Sequence, residues 1–335
     1  MSKEYQYNIQ ETSLLQNSLT KLFWNPIVSR IPASWTPNSI TCFGAFMMFL
    51  GAVCMYFAFV HNFSAGFLLN ALAVLIYMTC DNIDGMHARR TGQSSKLGEF
   101  LDHWFDSMHL VNIIICVLLI FNVHGGMLMA AIVVMSLAFF ATIWEQHHTG
   151  VFYSGKIGTN EGLIVISILY CVSFFLYGKP WFQYVDYKII NMGTILAYIT
   201  LLVCVLTVLG TWYRVRAHFL DYIPIILILI ALGLWYLGAN FNPLLTCLLG
   251  LTINTFFCGK FLLGRLVQLS FPYRNALSSL FGILGIVLFF LYKYMPTIGN
   301  ISILTCFYYF VGVGATWMVL VIFYDFILAL KHLRK

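Results

Sequence analysis

Ten apolar stretches, most of them about 20 residues long, divide the chain, and no water-soluble domain accommodates so many. They run at 39–61, 64–80, 107–123, 126–144, 162–178, 189–210, 222–240, 243–268, 275–294 and 302–330. A helix rises about 1.5 Å per residue, so each run of roughly 20 residues crosses about 30 Å of hydrocarbon. The runs are continuous and do not alternate apolar with polar, which excludes a β-barrel. With 61% of its 335 residues hydrophobic and 9% charged, the chain has too little polar surface to coat such helices in water. The expected fold is all-α, a polytopic transmembrane helix bundle of about ten spans forming a single integral membrane domain.

The first 36 residues are mixed in polarity, and Glu4 and Glu11 stand where a signal peptide would be positive. Leu15, Leu19 and Leu22 recur at helical spacing with Leu14 alongside, and Trp24 and Trp35 follow. That pattern fits an N-terminal amphipathic helix in the membrane interface, or a surface helix packed on the bundle. Placing the N-terminus in the cytosol puts fifteen of the eighteen Lys and Arg residues on the cytosolic side. Only Lys179, Lys188 and Lys293 fall outside, as the positive-inside rule requires. The net charge of +6 is thereby explained by topology and anionic lipid, with no nucleic acid. The nine cysteines lie in or beside apolar segments without a CxxC pair and read as small buried hydrophobes. The sequons at Asn62 and Asn300 sit in short outer loops and are expected to stay unmodified.

Against this background, residues 80–107, CDNIDGMHARRTGQSSKLGEFLDHWFDS, hold five of the twelve acidic residues. Asp81 and Asp84 lie at i, i+3 at the cytosolic end of the second run; Asp102 and Asp106 lie at i, i+4 at the start of the third. On helices each pair shares a face. Four converging carboxylates repel unless cations sit between them, and hard oxygen donors select Mg²⁺, Mn²⁺ or Ca²⁺. Two ions bridged by shared aspartates form a clamp suited to in-line attack at phosphorus. Gly85, Ala88 and Gly98 leave room for a ligand or a neighbouring helix, and Arg89 and Arg90 can offset diphosphate charge.

The spacing Asp81-x2-Asp84-Gly85-x2-Ala88-Arg89-x8-Gly98-x3-Asp102-x3-Asp106 resembles the signature of the CDP-alcohol phosphotransferase family at every fixed position. The resemblance implies that an alcohol displaces CMP from a CDP-alcohol at the cytosolic membrane face. It implies two Mg²⁺ or Mn²⁺ ions on Asp81, Asp84, Asp102 and Asp106, with Asp106 as general base. It also implies that Asn38, Asp81, Gly85, Ala88, Arg89 and Gly98 contact the CDP-alcohol. The chain then divides into an interfacial segment 1–36, a catalytic core 37–210 carrying the motif at 81–106, and C-terminal membrane helices at 211–335.

Two further stretches resemble the choline/ethanolamine phosphotransferase branch, which uses CDP-choline or CDP-ethanolamine and diacylglycerol. Pro37, Asn38 and Thr41 match its entry to the first span, with Pro37 suited to a first helical turn. WEQHHTGVFYSGKIGTNEGL, at 144–163, carries Glu145, His147, His148 and Glu161 on the same expected side as the aspartates. Glu145 and His148 are candidates to help remove the diacylglycerol proton, the alternative being a hydrogen-bonded interfacial loop. Met86 and His87 replace the branch's common Lys-Gln, and Trp104 and Phe105 replace small residues. These departures spare the metal ligands and leave the head group open. The branch also implies a homodimer in an endoplasmic reticulum or Golgi membrane.

Two competing readings remain at this point. A phosphatidyltransferase that joins CDP-diacylglycerol to a soluble alcohol such as inositol or serine needs the same motif, but lacks the 145–149 block and generally has fewer spans. A transporter or ion pathway would also place carboxylates in a membrane, yet here they cluster at one face. No pair of broken helices appears in corresponding halves of the chain.

Overall fold

The computed structural model describes residues 8–11, 13–120, 123, 125–154, 158–176, 192–239, 241–268, 276–299 and 301–333. A short strand β1 (Asn8–Glu11) precedes a helix α1 over residues 16–30, whose middle turn, Thr20–Trp24, is π-helical. Long helices follow: α2 (Pro37–Val60), α3 (Ala65–Thr91), α4 (Lys96–Ile120) and α5 (Gly125–Thr149). Strand β2 (Val151–Ser154) leads into α6 (Thr159–Leu176), α7 (Met192–Arg214), α8 (Ile223–Ala239) and α9 (Pro243–Val267). α10 (Ala276–Tyr294) and α11 (Ile303–His332) complete the chain, joined through the two-residue strands β3 (Thr297–Ile298) and β4 (Ile301–Ser302).

Every expected apolar run is helical in its described part, but the number of spans differs. Among the described residues seven helices are long and apolar enough to cross a membrane, about seven rather than ten. They are Pro37–Ala58, Ala65–Thr91, Gly125–Thr149, His218–Ala239, Pro243–Val267, Ala276–Tyr294 and Ile303–His332. Two others, Thr159–Phe175 and Tyr198–Arg214, are apolar but short. The remaining one, α4, opens with turns bearing Lys96, Glu99, Asp102 and Asp106, which cost too much in hydrocarbon to count as span. Glu4, Lys3, Lys156, Lys179, Lys188, Arg274, Asn300, Arg334 and Lys335 lie outside the described residues.

Two compact units emerge. The first holds β1, α1 to α4, β2, α6 and the first turn of α7; the second holds α5, the rest of α7 and α8 to α11. In the first unit α3 is central: α2 packs along one side and α6 along another, while α4 packs on α2. Thr36 caps α2 by accepting the Ser39 N–H, with Pro37 at the first helical position, and α3 stops at Gly92 in the left-handed conformation. The core joins Met48, Met55, Phe67, Val74, Tyr77, Leu163 and Tyr170. Trp24, Val28, Ile40, Cys80 and Ile83 form a second cluster that anchors α1. The outward faces stay apolar, with Phe43, Phe46, Phe49 and Leu72 exposed, as expected when lipid replaces water as solvent.

The expected N-terminal helix exists and has two kinds of apolar residue. Trp24 and Val28 face the core, whereas Leu14, Leu22, Phe23 and Ile27 are exposed. Parallel pairing of β1 with β2, from Asn8 opposite Val151 to Glu11 opposite Ser154, ties this segment to the chain ahead of α6.

Small residues set the closeness of α2 and α3. A Cβ on Gly44 would lie 2.7 Å from the Cys80 Cβ, one on Gly51 2.7 Å from the Ala73 Cβ, and one on Gly66 2.9 Å from the Ala58 Cβ. In lipid, where apolar surface alone gives little drive for helix association, such contact supplies the packing energy. Gly51→Leu is expected to overpack this seam by ~1–3 kcal/mol and lower the melting temperature in detergent by several degrees. Gly126→Ala, at a position with nothing within 4 Å, should leave it unchanged.

Candidate metal and nucleotide site

Helices α3 and α4 bring the motif aspartates to one locus in the first unit. The carboxylates of Asp81, Asp102 and Asp106 offer oxygen atoms that all lie within 4.8 Å of one another. Asp84, on the adjacent turn of α3, is buried and accepts the Thr41 hydroxyl from α2 and the backbone N–H of Gly85. Asp106 accepts the hydroxyl of Tyr77, which sits one turn before Asp81 on α3. Asp102 lies ahead of the apolar part of α4. Loss of water, then the charges of Asp84, Asp81 and Asp106, push its carboxyl well above the ordinary value, and a hydrogen bond with Asp81 adds to this. Carboxylates so placed gain by sharing cations, and their all-oxygen donor set fits Mg²⁺ or Mn²⁺. The residues therefore fit a hard divalent cation.

The remaining motif positions sit around this locus. Gly98 opens α4 beneath α2: a Cβ there would lie 3.1 Å from the Asn38 side-chain oxygen. The Arg89 guanidinium folds back over Gly85, 3.3 Å from where a Cβ would be. Ala88 is buried. Thus Asn38 meets Gly98 and Arg89 stands over Gly85 near Asp84, whereas the Thr41 hydroxyl is directed at Asp84. Sequence reasoning did not single out Tyr77, although its position four residues before Asp81 puts it on the same helix face.

The two departures after Asp84-Gly85 have structural work. His87 is fully buried; its Nε2–H donates to the Trp35 carbonyl at 2.8 Å while Nδ1 accepts from Arg90 at 3.0 Å. Arg90 also donates to the carbonyls of Ser29 and Ile31, and Gln93 to Ala33. These bonds fasten residues 29–35 over the end of α3. Met86 packs against the Trp24 cluster. Trp104 stacks on Phe100 with ring centroids 5.8 Å apart, and His103 on Phe152 at 4.8 Å.

Glu161 belongs to the same unit, at the start of α6. Its carboxylate accepts from the Ser13 hydroxyl at 2.6 Å, the Leu15 N–H at 3.0 Å and the Gly158 N–H at 2.9 Å. Loss of water alone would push its pKa up, but these bonds outweigh it and hold the carboxyl below the ordinary value.

Glu145 and His148 lie at the end of α5, in the second unit, each with a partner there. Glu145 is 1% exposed, and both its oxygens accept from the Arg214 guanidinium at the end of α7, Nη2 at 2.8 Å. His148 Nε2 bonds the Asp221 carboxylate at 3.1 Å, which also accepts the Trp144 indole N–H at 3.1 Å. His148 stacks on His218 with centroids 4.1 Å apart. His147 bonds the Phe261 carbonyl. Arg214 and Asp221 gave no signal in the sequence, since they belong to no motif.

A helical membrane chain with a hydroxyl-supported aspartate cluster at the joint of two helices is the class that this fold and site define. The sequence pattern of the CDP-alcohol phosphatidyltransferase family matches residues 34–206, more than half of the chain. The chain belongs to that family. It is 31% identical over 198 residues to cholinephosphotransferase 1 of Gallus gallus, covering 57% of each chain. It is 30% identical over 214 residues to choline/ethanolaminephosphotransferase 1 of Saccharomyces cerevisiae, covering 58% of this chain and 52% of the yeast one. An uncharacterized class-I family protein of Dictyostelium discoideum is 29% identical over 226 residues, 62% of this chain and 55% of that one. The chain matches a little over half the length of these curated relatives.

Removing Arg214 would leave the Glu145 charge buried without its partner, a loss of ~3–5 kcal/mol. Arg214→Ala is therefore expected to unfold at a markedly lower temperature, and adding Glu145→Gln should recover most of the loss.

Proposed function

We propose that this protein transfers phosphocholine or phosphoethanolamine from CDP-choline or CDP-ethanolamine to diacylglycerol, releasing CMP. The observation that carries this is the gathering of the motif carboxylates of α3 and α4, three of them with oxygens within 4.8 Å. The names of the chicken and yeast relatives support the choice of alcohol and acceptor.

Asp81, Asp84, Asp102 and Asp106 would hold two Mg²⁺ or Mn²⁺ ions, which supply positive charge against the diphosphate. In the transfer, the diacylglycerol hydroxyl oxygen bonds to the β-phosphorus, the bond from that phosphorus to the bridging oxygen breaks, and CMP carries the electron pair away. Arg89 contributes further positive charge beside Gly85, and Asn38 offers its amide over Gly98. Asp106 takes the hydroxyl proton, and the Tyr77 hydroxyl keeps its carboxylate in place. Glu145 and His148 act as supports in this reading: Glu145 is occupied by Arg214 and His148 is oriented by Asp221. The site faces the cytosol, and the protein works as a homodimer in an endoplasmic reticulum or Golgi membrane, as the branch resemblance implies.

Purified protein in detergent, given diacylglycerol and Mg²⁺, is expected to release CMP with CDP-choline or CDP-ethanolamine and to stop when EDTA is added. Asp102→Ala should lower that rate at least about a hundredfold while leaving the protein folded. CMP release only from CDP-diacylglycerol with inositol or serine would overturn the assignment of substrates, and near-normal turnover in Asp102→Ala would overturn the metal site.

A further inference from the structure

Between Asp81 and Asp84 stands Asn82, a residue that no part of the transfer uses. Its side chain closes a ring of three amides drawn from three separate segments. Asn82 Nδ2 donates to the Asn160 oxygen at 2.8 Å, Asn160 Nδ2 donates to the Gln16 oxygen at 2.6 Å, and Gln16 Nε2 donates to the Asn82 oxygen at 3.3 Å. Asn82 Nδ2 also reaches the Met78 carbonyl of its own helix at 2.7 Å. Asn160, at the start of α6, is 5% exposed, so the ring is shielded on that side.

From this geometry we infer that Asn82, with Gln16 and Asn160, is a positioning device that sets the rotation of α3 about its axis and thereby the placing of Asp81 and Asp84. The inference rests on the metal-site reading above. Successive helix residues are about 100° apart, so Asn82 projects away from the Asp81–Asp84 face while moving rigidly with it. Carboxylate oxygens stand about 6 Å from the helix axis, so a rotation of ~10° displaces them by ~1 Å. A metal site tolerates a few tenths of an ångström. Pinning the opposite side of α3 to α1 and to α6 removes that freedom.

The chemistry of the ring fits the task. Three amides satisfy one another and add no net charge. A Lys or Arg at position 82 would compete with cations for the aspartates, and an acid would add to their repulsion. The two outer members of the ring are themselves fixed. Glu161, next to Asn160, holds Ser13 and Leu15 just ahead of Gln16, and the Trp24 cluster seats the rest of α1 against α3. The exposed apolar residues Leu14, Leu22, Phe23 and Ile27 would sit in the membrane interface, so the ring refers the metal helix to a segment anchored in the lipid surface.

The test is Mn²⁺ binding to the purified full chain in detergent, read by electron paramagnetic resonance without substrate, together with CMP release as a function of metal concentration. Asn82→Ala is expected to weaken Mn²⁺ binding on the order of tenfold, as loss of an outer-shell support does, and raising the metal should restore part of the turnover. Gln16→Ala, which is half-buried and lies outside the aspartate motif, should shift binding the same way by about threefold, and it carries the test if Asn82→Ala does not fold. Wild-type Mn²⁺ affinity in folded Asn82→Ala and Gln16→Ala would overturn the positioning role while leaving the metal site standing. Absence of Mn²⁺ binding in the wild-type protein, or its persistence in Asp102→Ala, would instead overturn the metal site and the positioning role with it.

Discussion

Like charge gathered in a poor dielectric organises the first unit. Two ionised carboxylates about 4.8 Å apart repel by about 3 kcal/mol at an effective dielectric constant of ~20, and the oxygens of Asp81, Asp102 and Asp106 lie within 4.8 Å of one another, close enough that Asp102 holds its proton more tightly and hydrogen-bonds Asp81. That repulsion is a large fraction of the net stability of a typical domain. The surrounding side chains answer it in kind. Thr41 and Tyr77 donate hydroxyls to Asp84 and Asp106, Arg89 stands beside Gly85, and the cluster has the composition to take divalent cations. None of this works unless α2, α3 and α4 are held in register, which is why small residues line the α2–α3 seam and why residues 29–35 are fastened over the end of α3 by Arg90 and His87.

The second unit treats charge in the opposite way. There each buried acid has a dedicated partner: Arg214 for Glu145, His148 and Trp144 for Asp221, Lys260 at 2.9 Å for Asp325. Such pairs are close to neutral in their net contribution, because desolvation offsets attraction, but breaking one is costly. Three carboxylates gather in the first unit, whereas in the second Glu145 and Asp325 are each matched to a cation and Asp221 stands with His148 and His218. Asp84 and Glu145 are both buried, yet only Asp84 stands beside other aspartates.

Much of this was legible in the sequence. Helices in all ten apolar runs, the aspartate cluster and the small motif residues follow from periodicity and spacing, because helix geometry is local and i, i+3 and i, i+4 pairs meet wherever they occur. The number of spans was less legible, since a helix such as α4 is apolar in one half and acidic in the other, and an apolar count alone cannot say where lipid begins. Contacts across long sequence separations were not legible at all. Glu161 bonds Ser13 across 148 positions, and Glu145 meets Arg214 across 69. Nothing local in either sequence stretch announces its partner. His87 illustrates the intermediate case: its departure from the family pattern was visible, but only the Trp35 carbonyl beside it explains the change as packing instead of substrate choice.

The same distinction bears on the choice of base. In the 144–149 block, Glu145 and His148 have the residue types of a proton acceptor, and in the fold both are spoken for by a neighbour within their own unit. Asp106 has a partner too, but of a different kind. The Tyr77 hydroxyl is a neutral donor to one oxygen of Asp106, and the other lies 3.9 Å from His103 Nδ1, whereas Arg214 engages both oxygens of Glu145. A base must keep a lone pair directed at the proton it takes. By that criterion the tyrosine-supported aspartate retains a capacity that the arginine-clamped glutamate has given up.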